Sequence, residues 1–230
     1  MKVLLFGATG MVGQGVLREC LLDERVEHVL TVGRTATGTT HPKLTELVPD
    51  DLSDLSPHAE ELANYDACLF CLGVSSAGMP AAEYERITYG LTLSVARTYA
   101  AARPNARFLY VSGAGTDSTE RGRVRWARVK GATENAVARL PLDAYAIRPG
   151  FIQPQHGVTS KTPLYRRLYR ITAPLYPLLQ RFPAAFITTE VLGRAMLSVA
   201  ADGFPRHILE SRDLNDAGQR DRPGGSPAPR

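Results

Sequence analysis

The opening segment MKVLLFGATGMVGQGVL constrains the fold more than any other part of the chain. Val3, Leu4, Leu5 and Phe6 form an apolar run of strand length, Gly7, Gly10 and Gly13 follow at once, and a helical pattern starts behind them. Strand, glycine-rich turn and helix in that order make the first third of a dinucleotide-binding unit. The turn needs a residue that tolerates unusual φ, the backbone must approach a pyrophosphate, and the helix must pack tightly on the strand. The free N–H groups at the helix start then favour negative charge. Gly7, Thr9, Gly10, Met11, Val12 and Gly13 are the expected phosphate-side contacts. A plain tight turn is the bland alternative, and the position in the first strand-to-helix turn favours the nucleotide site.

The 230 residues suit one domain with a full core. A charged fraction of 22% beside 44% hydrophobic residues is ordinary for a globular chain, which argues against disorder throughout. The net charge of +4 is too mild to point to nucleic acid or a membrane surface. The first apolar run breaks at Gly7, too short for a signal peptide, and no stretch has the length of a transmembrane helix. A cytoplasmic location is the expectation. Three cysteines, Cys20, Cys68 and Cys71, make no disulfide framework. Cys68 and Cys71 have CxxC spacing, but inside the apolar run Ala67 to Leu72 that spacing puts them on opposite faces of a strand. Buried thiols are expected there, not a redox or metal site.

Strand and helix patterns alternate along the chain. Helices are expected at Gly13 to Leu22, Pro57 to Asn64, Pro80 to Ala102, Arg123 to Leu140 and Thr189 to Ala201. Strands are expected at Lys2 to Phe6, His28 to Val32, Leu44 to Val48, Ala67 to Leu72, Arg107 to Val111, Ala144 to Ile147 and His207 to Glu210. In the long helix Tyr84, Ile87, Leu91 and Val95 recur at helical spacing and should face the sheet. The alternation implies an α/β fold, a doubly wound parallel sheet with helices on both faces. Residues 1–210 form the expected dinucleotide-binding domain. Residues 153–187 break the rhythm with five prolines between tyrosines and arginines, beyond the sixth strand where substrates bind. They read as a small substrate-side insertion, either a lid or a packed surface loop. Its Tyr165, Leu168, Tyr169 and Tyr176 could also form an oligomer or membrane-surface face. Residues 211–230 are poor in apolar side chains and are expected to form a disordered tail.

The cofactor can be narrowed. An NAD site usually carries an acidic residue after the second strand to bind the ribose 2′-OH. Here Arg34 stands at that place and no acid occurs from Gly33 to Thr40. A guanidinium suits a 2′-phosphate, so NADP(H) is preferred, with NAD(H) as the alternative and a solvated loop arginine as the bland reading. Asp51 and Leu52 after the third strand could reach the adenine edge, and Gly73 and Val74 end the fourth strand beside the cofactor path.

GATGMVG at the first turn, Ser112 after FLYV, Lys130 in the next helix and RPGF at 148–151 together resemble a short-chain dehydrogenase/reductase. The spacing is similar to the atypical or extended branch, which holds sugar-nucleotide epimerase-like proteins and small NADPH-binding proteins similar to the Tat-interacting protein. The resemblance covers about residues 1–210. It implies a Rossmann-type sheet and cofactor contacts from Lys130, Pro149, Gly150 and Phe151. It implies that Ser112 polarises a substrate carbonyl or hydroxyl, and that Lys130 binds the nicotinamide ribose and lowers the pKa of a tyrosine four residues before it.

That tyrosine is Trp126 in this chain, in the run WARVK. An indole donates a hydrogen bond but does not titrate usefully, so it cannot serve as the proton-transfer group. Tyr89, Tyr145 and His156 are the substitutes to weigh, though spacing places none of them at the nicotinamide. Two readings stand. One is an NADP(H)-binding module that senses the cofactor or holds a regulatory protein partner, with weak or no standard redox activity. The other is an NADP-dependent oxidoreductase or epimerase with a relocated acid/base and a small-molecule substrate. Neither involves nucleic acid, an integral membrane segment or a metal. A homodimer is compatible with both.

Overall fold

The computed structural model describes residues 1–158 and 185–220. The first βαβ unit forms where the glycine turn placed it: β1 (Lys2–Phe6), α1 (Met11–Leu22) and β2 (His28–Val32). There follow β3 (Leu44–Leu47), a 3₁₀ turn at Ser56–His58 running into α2 (Ala59–Leu62), and β4 (Ala67–Phe70). Then come α3 (Ala81–Glu85), a π-helical stretch (Arg86–Leu91), α4 (Thr92–Ala102), β5 (Arg107–Val111), α5 (Arg125–Ala138) and β6 (Asp143–Arg148). The chain closes with β7 (Phe151–Gln153), β8 (Phe186–Thr188), α6 (Thr189–Asp202), β9 (Ile208–Glu210) and α7 (Ser211–Arg220).

Seven strands form one sheet in the order β3-β2-β1-β4-β5-β6-β9, and every pairing is parallel. The order reverses between β1 and β4. That switch point opens a crevice at the carboxyl ends of the strands, the usual ligand position of such sheets. Burial on both faces explains the apolar runs. Val3 and Leu5 enter the core under α1 and α6, whereas Leu4 and Phe6 enter the core on the other face, as period-two alternation requires. Phe6, Phe70 and Phe108 stack across three neighbouring strands, with centroids 5.4 and 5.8 Å apart.

Cys68 and Cys71 do lie on opposite faces, one in each core. Burial pushes the Cys20, Cys68 and Cys71 thiols well above their ordinary range, so none carries a thiolate.

Two expectations need correction, and one short element is new. The long helix from Pro80 is divided: the π-helical stretch inserts extra backbone, so Tyr84 and Val95 are buried while Ile87 and Leu91 are only half-buried. A second sheet, the parallel pair β7–β8, is too short to show in the sequence pattern. Residues 211–220 are a helix and not a disordered tail. Their composition is polar, but Leu214 and Ala217 lie three apart on one face and are buried against α6. At Gly218 a Cβ would stand 2.4 Å from the Val191 carbonyl oxygen, so the close approach needs glycine. Residues 159–184 of the expected insertion at 153–187, with Tyr165, Leu168, Tyr169 and Tyr176, and the end of the chain from 221 lie outside the described residues.

Leu214 is fully buried, so Leu214→Ala should lower the unfolding free energy by about 2–5 kcal/mol. Urea denaturation checks this, and an unchanged midpoint would mean that α7 does not pack on the domain.

Candidate functional site

The crevice is built from the chain segments that leave β1, β4, β5 and β6. After β1, Gly7 takes φ +80°, and a Cβ there would meet the Leu72 backbone nitrogen at 2.6 Å. Gly10 caps α1 with no side-chain hydrogen bond, its N–H donating to the Gly7 carbonyl at 2.9 Å. At Gly13 a Cβ would stand 2.1 Å from the Gly7 carbonyl oxygen, so only glycine lets the helix seat on the turn. The first full helical bond runs from Gln14 N–H to the Gly10 carbonyl at 2.8 Å. The N–H groups of Met11, Val12 and Gly13 therefore have no partner within the helix. No acidic side chain occupies the first turn. The result is a positive, unobstructed helix start that fits a pyrophosphate. The Thr9 carbonyl takes a hydrogen bond from Gln14 Nε2 at 3.1 Å, which fixes the rim of the cradle.

Arg34 is exposed just past β2, and its guanidinium has no hydrogen bond or ion pair to another described residue. The sequence pattern missed a nearby acid. The β2–β3 register sets Glu46 beside Thr31, and the Glu46 carboxylate accepts from both the N–H (2.9 Å) and the hydroxyl of Thr37. That carboxylate is turned to Thr37 and does not neutralise Arg34. Asp51 is held by the N–H and hydroxyl of Ser53, at 2.8 and 2.7 Å, which keep its carboxyl below the usual range. Leu52 is buried among core residues such as Leu55 and Leu62. Gly73 is exposed, with open space where a Cβ would stand, and Val74 is half-buried.

On the other side of the crevice, α5 brings Trp126 and Lys130 one turn apart. The Trp126 ring lies against Gly115, where a Cβ would stand 3.6 Å from the indole. The Lys130 ammonium donates to the backbone carbonyl of Ser112. The Ser112 hydroxyl is buried and donates to the Ile147 carbonyl at 3.2 Å. Burial pulls the Lys130 pKa down to about 8, partly opposed by the Glu134 carboxylate one turn further on. Glu134 in turn pairs with Arg148 through Nε at 3.0 Å and through a second, shorter contact, and both residues are buried. Glu134 follows Lys130 by four residues in the sequence, and its pairing with Arg148 needs the fold.

Pro149, Gly150 and Phe151 close the far end. The Pro149 carbonyl accepts from Ala114 N–H at 2.9 Å, and Gly150 N–H donates to Ser211 Oγ at 2.6 Å. A Cβ on Gly150 would stand 2.5 Å from the Ala185 carbonyl oxygen, and Phe151 packs edge-on to Phe186. The substitutes for the tyrosine lie on other elements than α5. The Tyr145 hydroxyl bonds Asp143 at 3.2 Å and its ring stacks on His207. His156 is paired with Glu190 at 2.6 Å. Tyr89 lies half-buried on the π-helical stretch.

Comparison with known proteins places this geometry. The profile of the NAD(P)H-binding family matches residues 7–167. The chain is 29% identical over 161 residues to the protein fmp52, mitochondrial, of Aspergillus fumigatus, covering 67% of this chain and 68% of that one. It is 25% identical over 167 residues to the protein fmp52-2, mitochondrial, of Aspergillus terreus, covering 71% and 72%. Among solved structures, MoeE5 in complex with UDP-glucuronic acid and NAD superposes with a TM-score of 0.68 at 19% identity, over 90% of this chain and 74% of that one. The Bordetella bronchiseptica enzyme WbmF in complex with NAD+ gives 0.66 at 17% identity, over 94% and 76%. These likenesses show a shared Rossmann-type fold. With the profile spanning the glycine turn, Lys130 and the RPGF segment, the chain belongs to the NAD(P)H-binding family.

Proposed function

We propose that this chain binds NADP(H) in preference to NAD(H) and holds it without the proton transfer usual among short-chain dehydrogenases, as a cofactor-binding or sensing module. The observation that carries this reading is Trp126, which fills the place of the titratable group one turn before Lys130. Gly7, Gly10, Gly13 and the N–H groups of Met11 to Gly13 would hold the pyrophosphate, and Lys130 lies where it could hold the nicotinamide ribose. A bound nicotinamide supplies a hydride donor or acceptor. This chain's residues would orient it and shield one side with the indole, and the indole that stands one turn before Lys130 cannot move a proton.

One observation favours the second reading, an oxidoreductase or epimerase with a relocated acid/base. Lys130, with a pKa near 8, can itself exchange a proton near neutral pH. The relatives' names carry the word mitochondrial, and no helix among the described residues is long and apolar enough to cross a membrane. Cell fractionation decides between that compartment and the cytoplasm.

Titration calorimetry should give tighter binding of NADPH than of NADH, and Arg34→Ala should remove most of the difference. A charge-assisted contact contributes about 1.5–3 kcal/mol, or about tenfold and more in affinity. Equal affinities in the unmutated protein would sink the preference.

The unmutated protein should turn over generic carbonyl substrates slowly or not at all with NADPH, and Trp126→Tyr should raise the rate. A positioned acid contributes about 10²–10⁴-fold, so even partial recovery is measurable by NADPH absorbance. Fast turnover that Trp126→Phe leaves unchanged would move the assignment to the second reading.

Lys130 also predicts a pH effect on stability. Its folded pKa is depressed, so from about 8 up to the unfolded value of 10.5 the unfolded chain binds more protons and stability rises with pH. Below that window the cost of burying the charge is fully present. Lys130→Met should therefore be more stable than the unmutated protein at about pH 7, with the gap narrowing towards about pH 10. Urea midpoints at the two pH values check it.

A further inference from the structure

We propose that the segment joining β5 to α5 recognises an anionic ligand: Arg121, Arg123 and Arg125 bind a carboxylate or phosphate on a small molecule with an apolar body that enters beside Trp126. The proposal rests on the reading of this crevice as the cofactor site, and it adds the charge class of the second ligand.

The charge there is uncompensated. Residues 121–130 hold Arg121, Arg123, Arg125, Arg128 and Lys130, and the carboxylates just before them are Asp117 and Glu120. Asp117 is engaged within the loop and Glu120 by α5. Asp117 accepts from the N–H and hydroxyl of Thr119 at 3.0 and 2.6 Å and from Gly122 N–H at 2.6 Å. Glu120 accepts from Asn135 Nδ2 at 2.7 Å. Among the described residues neither carboxylate forms a salt bridge with an arginine. By contrast Arg25, Arg103, Arg148 and Arg194 each form a salt bridge with a carboxylate. The side chains of Arg121 and Arg123 are exposed and have no partner among the described residues, and Arg125 reaches only the Met79 carbonyl, at 3.2 Å.

The loop that carries them is locked. Asp117 N–H donates to the Ala127 carbonyl at 3.0 Å, Asn135 Nδ2 donates to the Ser118 carbonyl at 3.0 Å, and Arg128 donates to the Gly122 carbonyl at 2.7 Å. Arg148 donates to the Ser118 hydroxyl. At Gly131 a Cβ would stand 1.8 Å from the Asp117 carbonyl oxygen, so loop and helix are in direct contact. A rigid backbone that holds like charges together, with no carboxylate of its own to relieve them, favours an anion at little further ordering cost.

Position and shape narrow the ligand. The loop leaves β5 at Ser112, at the same end of the sheet as the glycine turn. The Arg125 contact with Met79 joins it to the segment that follows β4, across the crevice mouth. Val124 is 52% exposed between Arg123 and Arg125, with the half-buried Trp126 next to it, so apolar surface lies directly beside the cationic groups.

Trp126 is the only tryptophan in the chain, so its fluorescence reads the site directly. The probes are benzoate, phenyl phosphate, neutral benzyl alcohol, and phosphatidylcholine vesicles with and without phosphatidylserine. Benzoate and phenyl phosphate should quench saturably, and benzyl alcohol should bind at least about tenfold more weakly. Added salt should weaken both anions. Arg121→Gln combined with Arg123→Gln, both on the surface, should cost about tenfold in anion affinity and leave circular dichroism unchanged. The same variant should bind NADPH as before, read by energy transfer from Trp126. Equal binding of benzyl alcohol, an unaffected double variant, or binding to anionic vesicles alone would overturn the proposal. An anion seated on the glycine turn would show as the unaffected variant. Failure of the unmutated protein to bind NADPH would instead overturn the cofactor reading.

Discussion

The seating of α1 on the glycine turn is the contact on which the rest of the molecule is stacked. A side chain at position 13 would overlap the Gly7 carbonyl, so the helix start lies directly on the end of β1. The same closeness aims the free N–H groups of the first turn into the crevice. It also fixes the outer layer. α6 packs along α1 with Gly193 against the Glu19 side chain, and Arg194 bonds the buried Glu19 at 3.2 Å. α7 then covers α6 through Leu214, Ala217 and Gly218. A shift of α1 by the width of a methyl group would be felt through both later helices, because close-packed layers transmit strain.

The other half of the crevice depends on the buried pair Glu134–Arg148. A buried ion pair is weak support for stability, since desolvation offsets most of the attraction. Its value here is geometric. The bidentate contact joins α5 to β6, and Arg148 extends it to Ser118 in the loop and to Glu210 on β9 at 3.4 Å. Lys130 and Trp126 sit on the same helix one and two turns earlier, so their places follow from that clamp. The two halves of the site thus use different physics. Backbone N–H groups and glycine shape the phosphate side, and side chains with perturbed or unpaired charge shape the other.

Much was legible in the sequence, and particular residues show why. The alternation of Val3 to Phe6 and the opposite-face placement of Cys68 and Cys71 follow from a period of two, which needs no tertiary information. The glycine turn was readable because local sterics admit few residues there. Glu46 was not readable, because strand register brings it to β2 from a separate element. The order of residues 211–220 was hidden because two apolar positions in a polar segment gain their value only from a surface already built by α6 and β8.

The sequence alone therefore determined the parallel α/β architecture, the position of the glycine turn, and the absence of a tyrosine four residues ahead of Lys130. Each is a statement about local periodicity, local sterics or residue identity. Tertiary structure alone decided that the Ser112 carbonyl takes the Lys130 ammonium, that burial brings the pKa of that ammonium down to about 8, and that Asp117 and Glu120 accept from Thr119, Gly122 and Asn135. Those outcomes depend on which distant groups share a low-dielectric space and on which hydrogen bonds a loop has already made, and neither is encoded at a single position.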